Sequence, residues 1–416
     1  MARYDALVVG GGLSGLSCAR RLTDRGLSVR LFEASDAVGG RVRTDRVNGF
    51  LLDRGFQVFL TAYPEAQRQL DYDDLDLRPF DAGALVYRRG GFARVTDPLR
   101  HPLDLPRTLL ADVGTIADKL RVLKLRAAVL GGPPERLWRR PEVSVAAALY
   151  ERYGFSDAIV EPFFRPFFGG ILLDRDLERS SSRAFEFLFR MFADGRTALP
   201  AQGMQALPEQ MASTLPADTV RLHARAASIA PGVLTLEGGE RVEGRAIVVA
   251  TDGAEAAYLL DGLDSPGSRA STTLYWAADA PPVERPLLVL DGEGEGPVNS
   301  LTVLSNAAPT YAPEGQALLS AAVVGNPQRS DDELEAEARA QMRRWFGSAV
   351  DGWRFLRLYR VIHALPDLVR LDPPERTYRL HDGLYVTGDW RRDPSINGAL
   401  VAGRHAADAV LDDLGA

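Results

Sequence analysis

The chain has few residues suited to redox, metal-binding or thiol chemistry. Of its 416 residues, one is cysteine and five are histidine. A single cysteine excludes an intrachain disulfide, so we expect Cys18 to be a small packing residue of a predicted helix rather than a reactive thiol. The histidines are His101, His223, His363, His381 and His405. Their spacing matches no pattern of metal ligands, and we therefore predict no metal site.

Long apolar runs are also missing. No uninterrupted apolar stretch reaches the ~18 residues that span a bilayer. The first predicted strand begins at Asp5, and we therefore expect no signal peptide before it. The net charge of −7 gives no electrostatic reason to expect a nucleic-acid partner. We expect a soluble, cytoplasmic protein, with peripheral membrane contact and the oligomeric state left open.

Lysine is the third scarcity, because Lys119 and Lys124 are the only two among 49 basic residues. The remaining composition, with 46% hydrophobic and 25% charged residues, is that of an ordinary globular protein. A chain of this length exceeds what one compact core holds, so it predicts two domains or more.

The richest pattern lies at the start of the chain. Asp5–Val9 reads as a short buried strand, and Leu13–Arg25 has helical composition. Between them, Gly10, Gly12 and Gly15 fit the glycine fingerprint of dinucleotide-binding loops, in which backbone amides and the helix dipole face a pyrophosphate. A glycine-rich turn in an unrelated α/β domain is the alternative interpretation.

An acidic residue at the expected distance favours the dinucleotide. Leu27–Glu33 alternates like a second strand, and Glu33 stands 18 residues beyond Gly15, where a ribose hydroxyl is expected. Ala34 follows it at the same edge. Strand, glycine loop, helix and acid together predict a dinucleotide site.

Later segments predict an interleaved architecture. Val220–Ile229 and Val233–Leu236 alternate like strands, and Ala246–Ala250 is a continuous apolar run typical of a buried parallel strand. The sequence therefore predicts an α/β fold, in which a Rossmann-type domain of the glutathione-reductase kind is interleaved with an α+β substrate domain. We assign residues 1–78, 196–265 and 380–416 to the first domain, and residues 79–195 and 266–379 to the second, with a mostly helical part at 103–195.

The predicted substrate domain has strands at Leu287–Leu290, Ser300–Leu304 and Ala317–Val324 and a helix at Asp331–Phe346. Its helical part is rich in phenylalanine, and helical spacing places Phe185, Phe189 and Phe192 on one face. These rings are either domain core or the wall of an apolar substrate tunnel.

Four further glycine-containing segments carry a family resemblance. Glu33 is followed six residues later by Gly39-Gly40-Arg41. This pattern resembles the start of the flavin amine oxidase, phytoene desaturase and protoporphyrinogen oxidase superfamily, and is closest in character to bacterial squalene- and carotenoid-associated desaturases. Asp53-Arg54-Gly55, Gly203-Met204 and Gly388-Asp389-Trp390 resemble later segments of the same superfamily.

The resemblance implies noncovalent FAD, since the C-terminal half has no cysteine to link a flavin. It also implies that the helix after Ser395 points its N-terminus at the flavin. The implied cofactor-binding residues are Gly10, Gly12, Leu13, Ser14, Gly15, Glu33, Ala34, Gly39, Gly40, Arg41, Gly55, Phe56, Gln57, Ala226, Gly388, Asp389, Trp390, Ser395, Ile396, Asn397 and Ala399. No catalytic residue is assigned, although Phe56, Gln57, His363 and Trp390 are candidates to face the flavin.

The resemblance also ranks the reactions. Amine oxidases of the superfamily usually place a lysine from the second half of the chain near flavin N5, and this chain has no lysine after Lys124. The leading hypothesis is therefore an FAD-dependent dehydrogenase that takes a hydride from an apolar, isoprenoid-like substrate to flavin N5 and passes electrons to O2 or a quinone. Amine oxidation with O2 and flavin binding without turnover stay as alternatives.

Overall fold

The computed structural model describes residues 3–97, 100, 111–371 and 377–416. In chain order its strands are β1 (Arg3–Val9), β2 (Val29–Phe32), β3 (Thr44–Val47), β4 (Phe50–Asp53), β5 (Phe59–Leu60), β6 (Leu77–Pro79), β7 (Gly83–Arg88), β8 (Gly91–Thr96), β9 (Thr197–Pro200), β10 (Val220–Arg221), β11 (Ala226–Ala230), β12 (Val233–Leu236), β13 (Arg241–Val249), β14 (Ser268–Ala278), β15 (Leu288–Asp291), β16 (Ser300–Val303), β17 (Ala317–Val324), β18 (Arg354–Pro366), β19 (Arg379–His381) and β20 (Leu384–Val386).

The α-helices are α1 (Leu13–Thr23), α2 (Pro64–Gln69), α3 (Ile116–Leu130), α4 (Val145–Ala147), α5 (Asp157–Ile159), α6 (Arg165–Leu172), α7 (Ser182–Asp194), α8 (Ala206–Ser213), α9 (Gly253–Leu259), α10 (Leu304–Ala307), α11 (Asp331–Phe346) and α12 (Ile396–Leu414). π-helical turns at Ala148–Arg152 and Val160–Phe164 extend α4 and α5, and 3₁₀ turns lie at Pro134–Arg139, Pro309–Tyr311, Gly347–Gly352 and Asp389–Arg391. Among the described residues, no helix combines the length and apolar character needed to cross a bilayer.

A parallel sheet forms the base of the candidate site. Its strands lie in the order β10, β2, β1, β13 and β20, while β19 and the β11–β12 hairpin add antiparallel edges. Helices α1 and α12 pack together, and the Ser17 hydroxyl donates to the Leu400 carbonyl oxygen at 2.8 Å. Residues Ala246–Val249 of β13 are fully buried, as expected for a central parallel strand.

The parallel arrangement brings distant segments to one edge, because the carboxyl ends of neighbouring strands lie side by side. The amide of Gly10, after β1, donates to the Phe32 carbonyl oxygen at 2.8 Å. The amides of Ala250 and Thr387, after β13 and β20, donate to Val9 and Val249 at the same distance. Three widely separated chain segments therefore form one rim.

A second, mixed sheet stands beside the first, with the order β18, β14, β17, β16, β15, β7 and β8. One face is covered by α11, where the Trp276 indole donates to Glu335 at 2.8 Å. On the other face the Tyr275 hydroxyl donates to the carbonyl oxygen of Asp53 at 2.8 Å. Alternation along β14 thus directs one set of side chains to α11 and the other to the strand before Gly55.

The phenylalanine-rich segments pack on one another. Phe168 of α6 lies 4.7 Å from Phe185 of α7 between ring centroids, and both rings are buried. Phe189 and Phe192 also contact α6, and they are only partly buried. Phe185, Phe189 and Phe192 thus share one face of α7, as predicted, and Phe185 belongs to the core.

The predicted fold class is confirmed: a Rossmann-type parallel sheet stands beside a mixed α and β unit. The predicted domain boundaries stay predictions. Several predicted elements match closely, and those of Ala317–Val324 and Asp331–Phe346 match at both ends. The predicted helix at Leu13–Arg25 ends at Thr23.

One local prediction needs correction, and one hairpin was missed. The single strand predicted at Val220–Ile229 is wrong: β10 ends at Arg221 and β11 begins at Ala226, because His223 has a left-handed backbone, with φ +53°, that breaks the extended chain. The β7–β8 hairpin was not predicted, although its Arg89-Gly90 turn is visible in the sequence. His101 and residues 103–110 lie outside the described residues.

Candidate cofactor site

The glycine loop between β1 and α1 has three glycines with different roles. Gly10 has φ +107°, a backbone that disfavours side chains, and a Cβ there would lie 2.8 Å from the Ala250 carbonyl oxygen. A Cβ on Gly15 would overlap the carbonyl oxygen of Gly10, so this glycine allows α1 to pack against the strand end. A Cβ on Gly12 would meet no heavy atom within 4 Å. Gly12 therefore faces open space, with no packing reason to be glycine.

Glu33 holds this loop in place. One oxygen of its carboxylate accepts the Gly11 amide at 2.7 Å, and the other accepts the amide and hydroxyl of Ser35, each at 2.8 Å. Ala34 beside it is exposed. The carboxylate thus stands at the rim of the open space above Gly12, where the sequence predicted a ribose contact.

The Gly39-Gly40-Arg41 segment closes the other side of the loop. The Gly39 amide donates to the Gly11 carbonyl oxygen at 2.8 Å, and Gly40, with φ +58°, lies against Gly12. A side chain on Gly40 would come within 3.4 Å of the Gly12 Cα atom. The two glycine segments, predicted separately, form one cradle of exposed main chain.

Arg41 joins three parts of the site. Its guanidinium donates to Asp389 at 2.7 Å and to the Ala364 carbonyl oxygen of β18 at 2.8 Å, while its own carbonyl oxygen accepts the Gln57 side-chain amide at 2.8 Å. Burial by itself would lower the pKa of Arg41, but the charge of Asp389 and its hydrogen bond raise that pKa above its ordinary value. Arg41 is therefore a fixed positive charge between the two sheets.

The Gly55–Gln57 segment lies against the second sheet. Gly55 has φ +97° and faces Val361 of β18, and the Phe56 amide donates to the Thr273 hydroxyl of β14 at 3.1 Å. Phe56 and Gln57 are partly exposed. This segment thus lines the gap between the parallel and the mixed sheets.

A buried carboxyl anchors the strand that leads to this segment. Asp53 accepts hydrogen bonds from the Thr44 hydroxyl, the Met204 amide and the Tyr311 hydroxyl. Burial raises the pKa of Asp53 to about 6 against the opposing effect of these hydrogen bonds. The Asp-Arg-Gly and Gly-Met segments, recognised separately in the sequence, are therefore bonded to each other.

The Gly388–Trp390 turn contributes a carboxylate and a buried ring. Gly388 has φ +150°, and a Cβ there would overlap the Trp390 indole. Asp389 is buried against Arg41, whereas the Trp390 ring packs beside Thr251 and donates to its carbonyl oxygen at 3.2 Å. Of these two predicted residues, Asp389 therefore contacts Arg41, whereas Trp390 lies in the core beneath the turn.

The start of α12 completes the arrangement. Ser395 caps the helix by accepting the Gly398 amide at 2.9 Å, and Asn397 accepts the Glu65 amide at 3.0 Å. Ile396 and Ala399 are partly buried beside them. These contacts fix the start of α12 against α2.

Two other predicted residues are less directly placed. Ala226 begins β11, and Ala224 just before it donates to the Glu33 carbonyl oxygen at 2.8 Å. His363 is exposed on β18, where its Nδ1 atom lies 2.8 Å from the Ser268 hydroxyl. Ala226 therefore lies two residues after Ala224, which contacts Glu33. His363 precedes Ala364, whose carbonyl oxygen accepts a hydrogen bond from Arg41.

Sequence reasoning missed residues that the fold brings to the site. The Thr387 hydroxyl lies 2.9 Å from that of Ser14, and Asp252 caps α9 near Arg41. Asp393 is buried beside Ser395, and burial raises its pKa to about 6 against the hydrogen bond from Ser395. In the sequence, the one signal that Thr387 and Asp252 belong to the site was that each follows the end of a strand. Among the described residues, no cluster of His, Cys, Asp or Glu is arranged to hold a metal ion.

The cradle fits a dinucleotide. Gly12 and Gly40 present main chain without side chains, the N-terminus of α1 is directed at them, and Arg41 supplies positive charge nearby. Phosphates bind such a helix N-terminus, and Glu33 supplies an acceptor for a hydroxyl group. Cys18 is buried in α1, and burial raises the pKa of its thiol, so the predicted packing role is confirmed.

Two curated proteins are similar to part of this chain. The chain is 29% identical to protoporphyrinogen oxidase 2 of Arabidopsis thaliana over 171 residues, which cover 39% of this chain and 31% of that protein. It is 31% identical to coproporphyrinogen III oxidase of Propionibacterium freudenreichii over 176 residues, which cover 40% of this chain and 31% of that protein. These matches thus span about a third of the length of the curated relatives.

Solved structures extend the likeness to the whole fold. An oxidoreductase from Methanosarcina mazei superposes with a TM-score of 0.72 at 17% identity, covering 99% of this chain and 100% of that one. Putrescine oxidase bound to putrescine gives a TM-score of 0.69 at 19% identity, with 99% of each chain covered. At these identities the likeness concerns the fold.

The family model for flavin-containing amine oxidoreductases matches residues 13–411, from the start of α1 into α12. The matched range includes Glu33, the Gly39-Gly40-Arg41 segment and Asp389. The chain therefore belongs to the flavin-containing amine oxidoreductase family.

Proposed function

We propose that the protein dehydrogenates an apolar, isoprenoid-like substrate by removing a hydride from carbon. The observation that carries the proposal is the position of the two lysines. Both lie on α3, where Lys119 donates to the Ala111 carbonyl oxygen at 3.1 Å and Lys124 is exposed. The sheet faces beside Gly55 instead present Thr273 and Val361. An amine oxidation that depends on a lysine near the flavin would find no lysine on β14 or β18.

The proposed cofactor contacts follow from the cradle. The amides of Gly12, Leu13 and Ser14 bind the pyrophosphate, Glu33 binds the adenosine ribose, and Arg41 and Asp389 meet the middle of the cofactor. The other predicted contacts, including Ala34, Ala226 and the Ser395–Ala399 turn, stay part of this proposal. When bound, FAD supplies the two-electron acceptor, and the protein positions the substrate against it.

The phenylalanine-rich helices supply the proposed apolar contact. Phe185 and Phe168 are buried core, whereas Phe163, Phe167, Phe189 and Phe192 are only partly buried. A hydrocarbon substrate gains affinity from buried apolar area, so partly covered rings are a suitable wall for it. We assign the wall to this second group of rings, with O2 or a quinone as the final electron acceptor.

The relatives give a second candidate substrate class, because two of them are porphyrinogen oxidases by name. A porphyrinogen is a large cyclic reductant and a polyene is a large linear one, so both differ from a small amine. The matched region covers about a third of those proteins, so the candidate rests on partial similarity.

Anaerobic flavin bleaching separates these possibilities. The FAD-loaded enzyme is mixed with isoprenoid polyenes, a porphyrinogen, and mono- and polyamines, and the visible flavin band is followed. Bleaching by a polyene supports the proposal, and bleaching by the porphyrinogen alone selects the second candidate. Rapid bleaching by an amine alone refutes both and restores amine oxidation, while bound FAD that no donor reduces indicates a flavin-binding protein without turnover.

A further inference from the structure

Helix α3 exposes a row of apolar side chains to solvent. Ile116, Leu120 and Leu123 are 70%, 62% and 44% exposed, and they recur at the spacing of one helical face. The opposite side of the same helix, with Leu125 and Val129, is fully buried. The usual orientation of an amphipathic surface helix has its apolar face inward, so α3 carries a second apolar stripe in the place where polar residues are expected.

The helix is held rigidly in this orientation. Thr115 and Asp118 form a capping box at its start, and the Asp118 carboxylate also accepts the amide and hydroxyl of Ser156. Arg126 near its end donates to Asp97 at 2.9 Å and to the Ala193 carbonyl oxygen at 2.8 Å. These bonds lock the buried side of α3 to the protein, so the apolar stripe cannot turn inward by rotation of the helix.

The chain's only two lysines flank the stripe. At 100° per residue, Lys119 and Lys124 lie about 70° to either side of its centre. The helix carries four basic residues and one acidic residue, a net charge of 4 − 1 = +3, on a chain of net charge −7. The other residues therefore sum to −7 − 3 = −10. Arg121 pairs with Asp118 and Arg126 pairs with Asp97. The positive charge beside the exposed hydrocarbon is therefore that of Lys119 and Lys124, on a protein that is otherwise acidic.

We infer that α3 docks the protein on a membrane surface that contains anionic lipids. A helix lying in the interface inserts its apolar face near the acyl boundary while flanking lysines meet lipid phosphates. The stripe consists of Ile116, Leu120 and Leu123, far fewer than the about 20–30 residues that each partner contributes to a stable protein interface. A second copy of the chain is therefore the weaker occupant, and the flanking charge favours lipid headgroups.

Vesicle flotation of the FAD-loaded protein tests this inference. The wild type is mixed with phosphatidylcholine vesicles, with or without phosphatidylglycerol, at low and high salt. We expect binding that requires phosphatidylglycerol and weakens with salt. Leu120→Gln combined with Leu123→Gln should lower the bound fraction at least about tenfold. Lys124→Gln should lower it less, and Lys124→Arg should restore it.

Matched controls keep the result specific. Tyr258→Ser removes a side chain that is 77% exposed on α9, far along the chain from α3, and should leave vesicle binding unchanged. Flavin absorbance and circular dichroism of each variant confirm that it folds. Absence of wild-type binding, or equal binding by the double leucine variant, would overturn the inference. A wild-type dimer that the leucine variant converts to a monomer would also overturn it and assign the stripe to a second copy.

Discussion

Gly12 and Gly15 should fail in different ways when they acquire side chains, which separates cofactor binding from folding. The built Cβ of Gly12 meets nothing within 4 Å, and its φ of −73° is open to any residue. The Cβ of Gly15 would overlap the Gly10 carbonyl oxygen and lie 3.1 Å from its carbonyl carbon. We expect Gly12→Val to fold without FAD and Gly15→Ala to be destabilised.

The magnitudes follow from these positions. Gly12 is the N-cap of α1, and valine is a poorer N-cap than glycine, which costs roughly 1 kcal/mol of stability. The valine methyl groups occupy the space above the cradle, so FAD affinity should fall at least about a hundredfold, or about 2.7 kcal/mol. Gly15→Ala forces α1 away from the strand end, and overpacking of this kind costs roughly 1–3 kcal/mol or more.

The assay measures both quantities on the same proteins. Urea unfolding after FAD removal gives the free energy of unfolding, and the flavin absorbance of purified protein gives FAD stoichiometry. Gly12→Ser, which restores a good N-cap while keeping a side chain in the cradle, is the matched control. A Gly12→Val protein with full wild-type FAD content would refute the placement of the cofactor over Gly12.

Three further substitutions probe charged positions. Glu33→Ala removes the acceptor of the Gly11 amide and should weaken FAD binding about tenfold in a fluorescence titration; unchanged affinity would contradict the predicted ribose contact. Because the folded state raises the pKa of Asp53 from 3.8 to about 6, it holds that proton more tightly than the unfolded chain. Asp53 should therefore lower the free energy of unfolding by up to about 3 kcal/mol as pH rises through this window, and Asp393, whose pKa is also raised to about 6, should add to the slope. Asp53→Asn should make the slope less steep, whereas an unchanged slope would assign it to other groups. Glu186 is buried between Arg140 at 2.8 Å and Arg152 at 2.7 Å, so Glu186→Gln should cost about 3–5 kcal/mol in urea unfolding, with the flavin spectrum unchanged if the residue serves structure alone.

Local patterns made much of the dinucleotide unit predictable. The three glycines, the strand before them and Glu33 lie within one βαβ unit, where spacing along the chain nearly equals spacing in the fold. Helix α11 was predictable at both ends because a Ser330–Glu333 capping box starts it and Gly347 follows it. The break at His223 was not, since a left-handed histidine depends on the hydrogen bond from its amide to Ser35.

The sequence alone predicted a dinucleotide site, because the geometry of the glycine loop is local and follows from residue type and short spacing. Only the tertiary structure decided that Arg41 joins Asp389 and Ala364, residues more than 320 positions away. It also decided that Trp390 belongs to the core and that α3 exposes an apolar stripe. These outcomes depend on which faces are covered by distant segments, and coverage is a property of packing that residue order does not specify.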